Sequence, residues 1–339
     1  MNVFIITEGG KNIGFGHITR CLSLYQAFQE RGIKPKFIIN GDNDIEYLLK
    51  NINYQMFNWL DEKSKLFEMV KDADIAIIDS YLANISLYNT LSDLVRVPVC
   101  IDGNKRLEYP KGIVLNGNIY AERLNYRKKD GVKYLLGTKY TPLRKEFWEL
   151  PEKKINEKIE SILVTFGGSD TKNMTPKVMK LLNKEYPALK KDIIIGKAFH
   201  NIEEIKKEID KNTNLIYYSN AGKIREIMLE SDIAISAGGQ TLYEFARVGV
   251  PTIGICVVDN QRLNIQEWGR VGFISYIGYC SNENILINLK NAIEKIMDYN
   301  LRKRVSVLGR KIVDGKGSLR LVNKVILLFY GILNTRFKK

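Results

Sequence analysis

The feature that most constrains this chain is a regular alternation of short β-branched runs with segments long enough to form helices. The runs in the first half are Val3–Thr7, Phe37–Asn40, Ile75–Asp79, Val97–Asp102, Ile113–Asn116 and Tyr134–Gly137. Those in the second half are Ile162–Phe166, Asp192–Ile195, Leu215–Tyr218, Ile233–Ser236 and Thr252–Cys256. Strands without strict polar–apolar alternation, separated by helical segments, are typical of parallel sheets covered on both faces. The sequence therefore predicts an α/β protein built from doubly wound sheets.

The length and one polar segment predict two domains. At 339 residues the chain exceeds what a single hydrophobic core usually supports. The polar segment 150–160 precedes a new strand, and both halves open with a strand, a glycine-containing turn and a helix. We predict Rossmann-like domains at 1–150 and 160–339. Residues 316–337 have the spacing of a last amphipathic helix, and the sequence leaves open whether it packs on its own domain or crosses back to the first.

The charge of the chain indicates which kinds of partner it could bind. Its formal net charge is +14, but lysines alternate with glutamates as they do on solvated helix faces. No arginine–aromatic RNA motif or zinc finger accompanies them, so we expect no nucleic acid partner. A positive surface also suits an acidic or phosphorylated small substrate.

The cysteines argue against a disulfide-linked or zinc-binding protein, and the apolar runs argue against a protein that spans a membrane. The four cysteines show no paired spacing, which argues against a disulfide scaffold and a zinc site and favours buried thiols. The N-terminus lacks the features of a signal peptide, and the apolar stretch Val325–Leu333 is far shorter than the ~20 residues that span a bilayer. We expect a cytoplasmic protein without stable membrane insertion; its oligomeric state is left open.

A glycine-rich turn followed by a histidine forms the first candidate site. Gly14 and Gly16 let the backbone turn sharply and approach a ligand, and apolar spacing predicts a helix that begins near His17. The partial positive charge of a helix N-terminus favours a neutral imidazole, which can accept a proton. The alternative is a histidine that only caps or packs. Its position after the first strand of a parallel sheet favours a functional role.

A run of small residues at the start of a later helix forms the second candidate site. Backbone amides there are free to bind a diphosphate, and Glu244, one turn further, is placed to accept hydrogen bonds from ribose hydroxyls. The alternative for Glu244 is a solvated position on the helix. The residues at the helix start are Gly238, Gly239, Gln240 and Thr241.

Two further turns follow predicted strands. Gly167 and Gly168 could form a second phosphate-side loop, although a plain turn explains them nearly as well, and the GK[ST] of a Walker loop is missing. Asp79, Tyr81 and Asn118 belong to the carboxyl edge of the first sheet, where ligands bind in such folds. Asp residues are also common in turns, so this edge is open to both interpretations.

Two Asp-x-Asp strings raise the question of a divalent cation. Asp72 and Asp74 precede a strand, which is the wrong context for holding a metal on a diphosphate. Asp42 and Asp44 follow one, but a solvated turn explains them adequately. We predict no metal site and no cofactor.

The order of these motifs resembles a known family, the UDP-2,4-diacetamido-2,4,6-trideoxy-β-L-altropyranose hydrolases of pseudaminic acid biosynthesis, together with their spore-coat polysaccharide relatives. The resemblance covers most of the chain. The segments that carry it are IGFGHITRCLSL at 13–24, IIDSYLAN at 77–84, LNGNIYA at 115–121, LLGTKYTPLRKEFW at 135–148, TFGGSDTKNMT at 165–175, SAGGQTLYEFARVGVPTIGI at 236–255, DNQ at 259–261 and DGKGSLRLV at 314–322.

The resemblance implies a GT-B fold, in which two Rossmann-like domains face each other across a cleft and the second holds UDP. It implies removal of UDP from the sugar by water at the anomeric carbon, with inversion and without a metal. His17 matches the general base at the mouth of the cleft, and Tyr81 matches the tyrosine after the IID segment. Asn260 and Gln261 match the pair near the sugar, and the segment from Gly238 to Glu244 matches the diphosphate and ribose site.

Two departures and three alternatives qualify this prediction. Ser80 stands where relatives often carry histidine, and Gly103 where a second aspartate often follows the first, so the nucleotide is better supported than the sugar. A GT-B glycosyltransferase would use the same nucleotide site with an acceptor hydroxyl in place of water. A sensor would bind nucleotide without turnover, and an RNA-binding protein would show steep salt dependence.

Overall fold

The computed structural model describes residues 1–10, 13–217 and 220–336. It divides the chain into two compact units. Unit 1 comprises Met1–Lys145 and Gly315–Lys339, and unit 2 comprises Glu146–Asp314. The C-terminal segment therefore belongs to the same unit as the N-terminal half of the chain.

Unit 1 is built on a seven-stranded sheet in which every neighbouring pair is parallel. The strand order is β3-β2-β1-β4-β5-β6-β7. The strands are β1 (Val3–Gly9), β2 (Lys36–Gly41), β3 (Tyr54–Met56), β4 (Ile75–Asp79), β5 (Val97–Ile101), β6 (Gly112–Asn116) and β7 (Val132–Leu136). The helices of this segment are α1 (Gly16–Gln29), α2 (Lys63–Val70) and α3 (Ile85–Leu94), with short 3₁₀ turns at Asn43–Leu48, Ala121–Leu124 and Thr138–Tyr140.

Unit 2 is built on a six-stranded parallel sheet in the order β10-β9-β8-β11-β12-β13. Its strands are β8 (Ser161–Thr165), β9 (Lys190–Ile195), β10 (Thr213–Tyr217), β11 (Ile233–Ala237), β12 (Thr252–Cys256) and β13 (Ile274–Tyr279). Its helices are α4 (Met174–Glu185), α5 (Ile202–Lys207), α6 (Ala221–Glu230), α7 (Thr241–Val248), α8 (Arg262–Arg270), α9 (Ile285–Ile296) and α10 (Tyr299–Ile312), with 3₁₀ turns at Lys145–Phe147, at the unit boundary, and Asp259–Gln261.

A last helix, α11 (Gly317–Arg336), packs against α1 in unit 1. Its apolar side chains Leu321, Val322 and Val325 are fully buried. Its first turn is also tied to unit 1, because the Ser318 hydroxyl donates to the Leu143 carbonyl at 3.2 Å. Phe337, the last residue of the predicted helix, lies outside the described residues.

The prediction of two doubly wound parallel α/β domains is confirmed. The predicted strands are present with ends within two residues of those expected, apart from Tyr218, which lies outside the described residues. Strands β3 and β13 were missed. The first has three residues, too few for a pattern, and the second alternates around a glycine on a half-buried edge.

Apolar burial explains why the strands form. All seven residues of β1 and all five of β4 are buried, because helices cover both faces of the sheet. Burying each large aliphatic side chain contributes about 1.5–3 kcal/mol relative to leaving it in water. Three of the cysteines are buried free thiols, as expected, whereas Cys280, which was also expected to be buried, is half-buried. No helix within the described residues is long and apolar enough to cross a bilayer.

The parallel register brings the functional segments of unit 1 to one edge of its sheet. Thr7 of β1 is paired with Asp79 of β4, and Asp79 is paired with Ile101 of β5. The residues that follow these positions therefore emerge side by side: Glu8, the turn after Asp79, and Asp102. In unit 2, the loops after the neighbouring strands β11 and β12 meet in the same way.

Candidate functional site

Helix α1 places a histidine at the carboxyl edge of the unit 1 sheet. The helix begins at Gly16, so His17 stands in its first turn, as predicted. Gly14 adopts a φ of 91°, which favours glycine, and its amide donates to the Gly10 carbonyl at 2.7 Å. The imidazole is only 5% exposed, which makes it more buried than a base at the mouth of a cleft was expected to be.

His17 and Asp79 form a buried hydrogen-bonded pair. The Nδ1 atom of His17 lies 2.8 Å from Oδ1 of Asp79, which is 1% exposed. Arg20, three residues along α1, binds both oxygens of the same carboxylate, with Nη2 at 2.7 Å from Oδ1 and Nε on Oδ2. Burial opposes ionisation of Asp79, but Arg20 and then His17 lower its pKa well below the ordinary value.

Two groups contact Nδ1 of the imidazole, and they favour opposite tautomers of the neutral ring. The ionised Asp79 carboxylate at 2.8 Å only accepts hydrogen bonds and favours a proton on Nδ1, whereas Nη2 of Arg20 at 2.9 Å only donates. Because Nη2 also binds Oδ1 of Asp79 at 2.7 Å, it has a partner without Nδ1, and the balance favours the proton on Nδ1. The Nε2 atom then carries a lone pair. Within the described part of the chain, no hydrogen-bond partner is found for Nε2. In this tautomer Nε2 is the ring atom that can accept a proton, and a role of His17 as a base stays a prediction.

Tyr81 lies next to the histidine, on the turn that follows β4. Its ring centroid is 4.6 Å from that of His17 and the two planes are 86° apart, an edge-on contact. Tyr81 is 42% exposed, so its ring covers the buried imidazole while remaining accessible itself. The sequence placed Asp79 and Tyr81 at the carboxyl edge of the sheet and His17 after the first strand. The structure brings the three side chains together at this edge, and their roles in a reaction stay a prediction.

Polar groups after β6 converge on the Gly103 carbonyl, in the loop next to the Tyr81 turn. The amide of the Asn118 side chain donates to the Gly103 carbonyl at 3.2 Å, and the Tyr120 hydroxyl donates to the same carbonyl at 2.9 Å. A Cβ atom on Gly103 would lie 3.0 Å from the Tyr81 hydroxyl and 3.4 Å from the Asn118 side chain. The missing side chain at 103 therefore gives Tyr81 and Asn118 room to approach each other.

In unit 2 the Gly238 loop and the turn at Asp259–Gln261 are hydrogen-bonded to each other. The Gly238 amide donates to Oε1 of Gln261 at 3.1 Å, and the Asn264 side chain donates to the Gly238 carbonyl at 2.8 Å. A Cβ atom on Gly238 would lie 2.9 Å from Cβ of Ile265, so the close approach requires glycine.

The start of helix α7 is placed as predicted. The helix begins at Thr241, and the side chain of its N-cap residue Gln240 makes no capping hydrogen bond. Glu244 is buried, contrary to the alternative of a solvated position, and Asn260 is exposed. The structure thus brings the segment 238–244 and the turn 259–261 together, and their contacts with a nucleotide stay a prediction.

The Gly167–Gly168 turn has a clear structural role. The carboxylate of Asp170 accepts hydrogen bonds from the amides of Met174 at 2.8 Å and Thr175 at 2.7 Å, so the first turn of α4 is already capped. Gly168 and Gly196 pack closely, because a Cβ atom on Gly196 would lie 2.4 Å from the carbonyl oxygen of Gly168. A phosphate would have to use amides other than those that Asp170 occupies.

The Asp-x-Asp strings behave as turn and edge residues. Asp42 accepts from the amide of Asp44 at 3.1 Å, and Asp74 accepts from the amide of Asn2 and pairs with Arg96. In the ranges that the structure describes, no three His, Cys, Asp or Glu side chains are grouped to hold a metal ion. Metal independence stays a prediction.

Sequence reasoning missed three residues of unit 1 that the structure places at this edge: Glu8, Arg20 and Arg106. Arg20 was open to prediction, since a residue three positions after His17 lies on the same helix face. Glu8 carried a weaker signal, an acidic residue in an otherwise apolar strand. Arg106 carried none, because its contacts depend on how two distant loops meet.

Part of the chain matches a known protein family. Residues 161–306 match the glycosyltransferase family 28 C-terminal domain, a region that runs from β8 into α10. It includes the Gly238 loop and the turn at 259–261. The His17–Asp79 pair lies outside it.

Curated relatives cover more of the chain. A UDP-2,4-diacetamido-2,4,6-trideoxy-β-L-altropyranose hydrolase of Campylobacter jejuni is 23% identical over 80% of this chain and 98% of its own length. The spore coat polysaccharide biosynthesis protein SpsG of Bacillus subtilis is 23% identical over 95% of this chain and 96% of its own. An uncharacterized protein of Methanocaldococcus jannaschii is 25% identical over 77% of this chain, and the match spans only 57% of that protein. The resemblance seen in the sequence is therefore confirmed.

Solved structures decide the fold. MurG of Acinetobacter baumannii superposes with a TM-score of 0.66 at 14% identity, over 96% of this chain and 99% of that one. The calicheamicin glycosyltransferase CalG4 superposes with a TM-score of 0.64 at 12% identity, over 98% and 99%. The fold is GT-B.

Within this GT-B fold the two candidate sites fall in different units. Unit 1 carries the His17–Asp79 pair and Tyr81, and unit 2 carries the Gly238 loop. The family match at 161–306 concerns the second of these alone.

Proposed function

We propose that this protein hydrolyses a UDP-activated diacetamido-trideoxy-hexose and releases UDP by attack of water at the anomeric carbon, in nonulosonic acid biosynthesis such as that of pseudaminic acid. The Campylobacter jejuni relative is named as a hydrolase of such a sugar and matches over nearly its whole length. The observation that carries the proposal is the His17–Asp79 pair at 2.8 Å, which leaves Nε2 of His17 able to take a proton.

In the proposed reaction, Nε2 of His17 removes a proton from a water molecule as the water oxygen attacks the anomeric carbon. The bond from that carbon to the UDP oxygen breaks, and the attack from the opposite face inverts the configuration. Asp79 stabilises the imidazolium that forms, since the two groups already share a hydrogen bond. Tyr81, edge-on to the ring, is the side chain that we propose contacts the reacting sugar, together with Asn118.

The leaving group is proposed to be held by unit 2. Amides at the start of α7 face the charge that gathers on UDP, and such donors stabilise an anion without a cation. The buried carboxylate of Glu244 is proposed to accept from the ribose hydroxyls, and Asn260 and Gln261 to contact the substrate from the neighbouring turn.

Turnover without an acceptor tests this proposal. The purified protein is incubated with UDP-2,4-diacetamido-2,4,6-trideoxy-β-L-altropyranose, in the presence of a chelator, and UDP and free sugar are quantified. We expect equal amounts of both, and a His17→Ala variant that retains UDP binding but releases neither. Absence of free sugar at saturating substrate contradicts the proposal.

A glycosyltransferase is the second candidate, and one observation favours it: the matching family model describes a glycosyltransferase domain. A transferase would use the same base to deprotonate an acceptor hydroxyl. It predicts that UDP release depends on an added acceptor alcohol and that the sugar is recovered on that acceptor.

A further inference from the structure

The turn that carries Tyr81 is held by two side chains from other parts of unit 1. This turn, Ser80–Ala83, follows β4 directly. Glu8 at the end of β1 binds its amides, and Arg106 in the loop after β5 binds its carbonyls. Neither residue belongs to the proposed machinery.

The carboxylate of Glu8 is buried and accepts three hydrogen bonds from the turn. It accepts from the Tyr81 amide at 2.7 Å, the Leu82 amide at 3.3 Å and the Ser80 hydroxyl at 2.5 Å. Glu8 has no exposed surface. A buried carboxylate is costly unless hydrogen bonds compensate it, and hydrogen bonds to a charged oxygen are stronger than neutral ones. Glu8 therefore fixes the backbone at Tyr81 more firmly than a neutral side chain would.

Arg106 holds the opposite side of the same turn. Its guanidinium donates to the Ala83 carbonyl at 2.8 Å and to the Ser80 carbonyl at 3.1 Å. The backbone amide of Arg106 is itself fixed by the Asp102 carboxylate at 3.2 Å. The turn is thus bound on its amide side by an anion and on its carbonyl side by a cation.

We infer that Glu8 and Arg106 are positioning residues that set where the Tyr81 ring lies relative to His17. With the backbone of the turn fixed on both sides, the Tyr81 side chain keeps its edge-on contact with the imidazole although 42% of it is exposed. The inference rests on the proposed function for its catalytic consequence, but the mechanical part concerns the free protein alone.

Hydrogen exchange of the Tyr81 and Leu82 amides tests the mechanical part. We compare the wild type with Glu8→Ala, Glu8→Gln and Arg106→Met, and use Glu68→Ala, on an exposed position of α2, as the matched control. We expect exchange at least tenfold faster in Glu8→Ala, an intermediate effect in Glu8→Gln, which keeps one acceptor oxygen, and no change in the control. Unchanged exchange in folded Glu8→Gln and Arg106→Met overturns the inference, even if Glu8→Ala fails to fold.

A double-mutant comparison with Tyr81→Ala tests the catalytic part. We expect Glu8→Ala to lower kcat for the UDP-sugar about 10- to 100-fold with KM within threefold, and Arg106→Met to lower it about three- to tenfold. In the Tyr81→Ala background each should lower kcat by less than threefold, because both act through Tyr81. If either substitution lowers kcat in the Tyr81→Ala background as much as it does in the wild type, the inference is overturned. If the wild type releases no UDP, the proposed function fails, and the exchange experiment still decides whether the turn is clamped.

Discussion

At the scale of single residues, the proposed chemistry depends on three groups that contact one another: Arg20, Asp79 and His17. Arg20 favours the ionised carboxylate, and the carboxylate favours the imidazole proton on Nδ1. His17 is only 5% exposed, so the ring that is hydrogen-bonded to Asp79 is also largely shielded from solvent.

Replacement of Asp79 by asparagine should reverse the tautomer. Nη2 of Arg20 lies 2.9 Å from Nδ1 of His17 and can only donate, so without the carboxylate it forces the ring proton onto Nε2. We expect Asp79→Asn to lower kcat by up to about 10⁴-fold, the loss that accompanies a base held in the wrong tautomer. UDP affinity, measured by calorimetry, should stay within threefold.

The matched control for this variant is Asp93→Asn, since Asp93 is exposed and pairs only with Lys111 among the ion pairs of the described residues. It should leave kcat unchanged. An Asp79→Asn enzyme with kcat within threefold of the wild type would show that the buried pair does not orient the base.

At the scale of elements, the strand ends and helix starts carry the polar groups, and glycines decide how closely these approach. Gly238 shows this most directly. Its missing side chain lets the loop after β11 lie against α8 and against the turn that contains Gln261.

We expect Gly238→Ala to weaken UDP binding by at least tenfold. The new methyl group would lie 2.9 Å from Cβ of Ile265 and 3.1 Å from Cβ of Gln261, atoms next to the backbone that cannot move aside cheaply. Gly239→Ala is the matched comparison, since its nearest neighbour lies at 3.9 Å and the amide is retained, so its loss should be smaller. Equal UDP affinities for the two variants, measured by calorimetry, would contradict the steric argument.

A buried lysine in the segment before β8, which binds carbonyls at the end of α6, should make stability depend on pH. Lys153 donates to the carbonyls of Leu229 at 2.7 Å and Met228 at 3.3 Å. Burial lowers its pKa to about 8, although Asp232 raises it in part. The unfolded chain, with a lysine pKa of about 10.4, holds the proton more tightly, so the folded state gains stability as the pH rises from 8 toward 10.

Lys153→Met removes this titration, and Lys154→Met, on an exposed neighbour, serves as the control. The difference in unfolding free energy between wild type and Lys153→Met should change by about 2 kcal/mol in favour of the wild type between pH 7 and pH 10. Denaturation at a series of pH values measures it. A difference that does not vary with pH would show that Lys153 titrates normally.

The elements also show which contacts a sequence can and cannot reveal. Hydrophobic runs bounded by turns located the strands from β1 to β12 apart from β3. Once these strands were located, the sequence itself showed which residues follow β4 and which residues begin α7. The Glu8 and Arg106 contacts with the Ser80–Ala83 turn were beyond sequence reasoning, because they exist only once β1, β4 and β5 lie side by side. The hydrogen bond between the Gly238 amide and the Gln261 side chain, 23 residues apart, was beyond sequence reasoning for the same reason.

At the scale of the whole molecule, the chain leaves unit 1 at Lys145 and returns to it at Gly315. The sequence left two places open for the last helix, and the structure places α11 against α1, with Leu321, Val322 and Val325 buried. Unit 1, which carries the proposed base, is thus completed by the last segment of the chain. Unit 2 is one continuous segment and contains the part that matches a glycosyltransferase domain.

The measurement that tests the central claim most directly is the fate of oxygen from labelled water. The protein converts its UDP-sugar in H₂¹⁸O, and mass spectrometry locates the label in the products. We predict one heavy oxygen on the anomeric carbon of the sugar and none on UDP, with both products missing in His17→Ala. Heavy oxygen on the phosphate alone would show that a different bond is cleaved and would contradict water attack guided by His17.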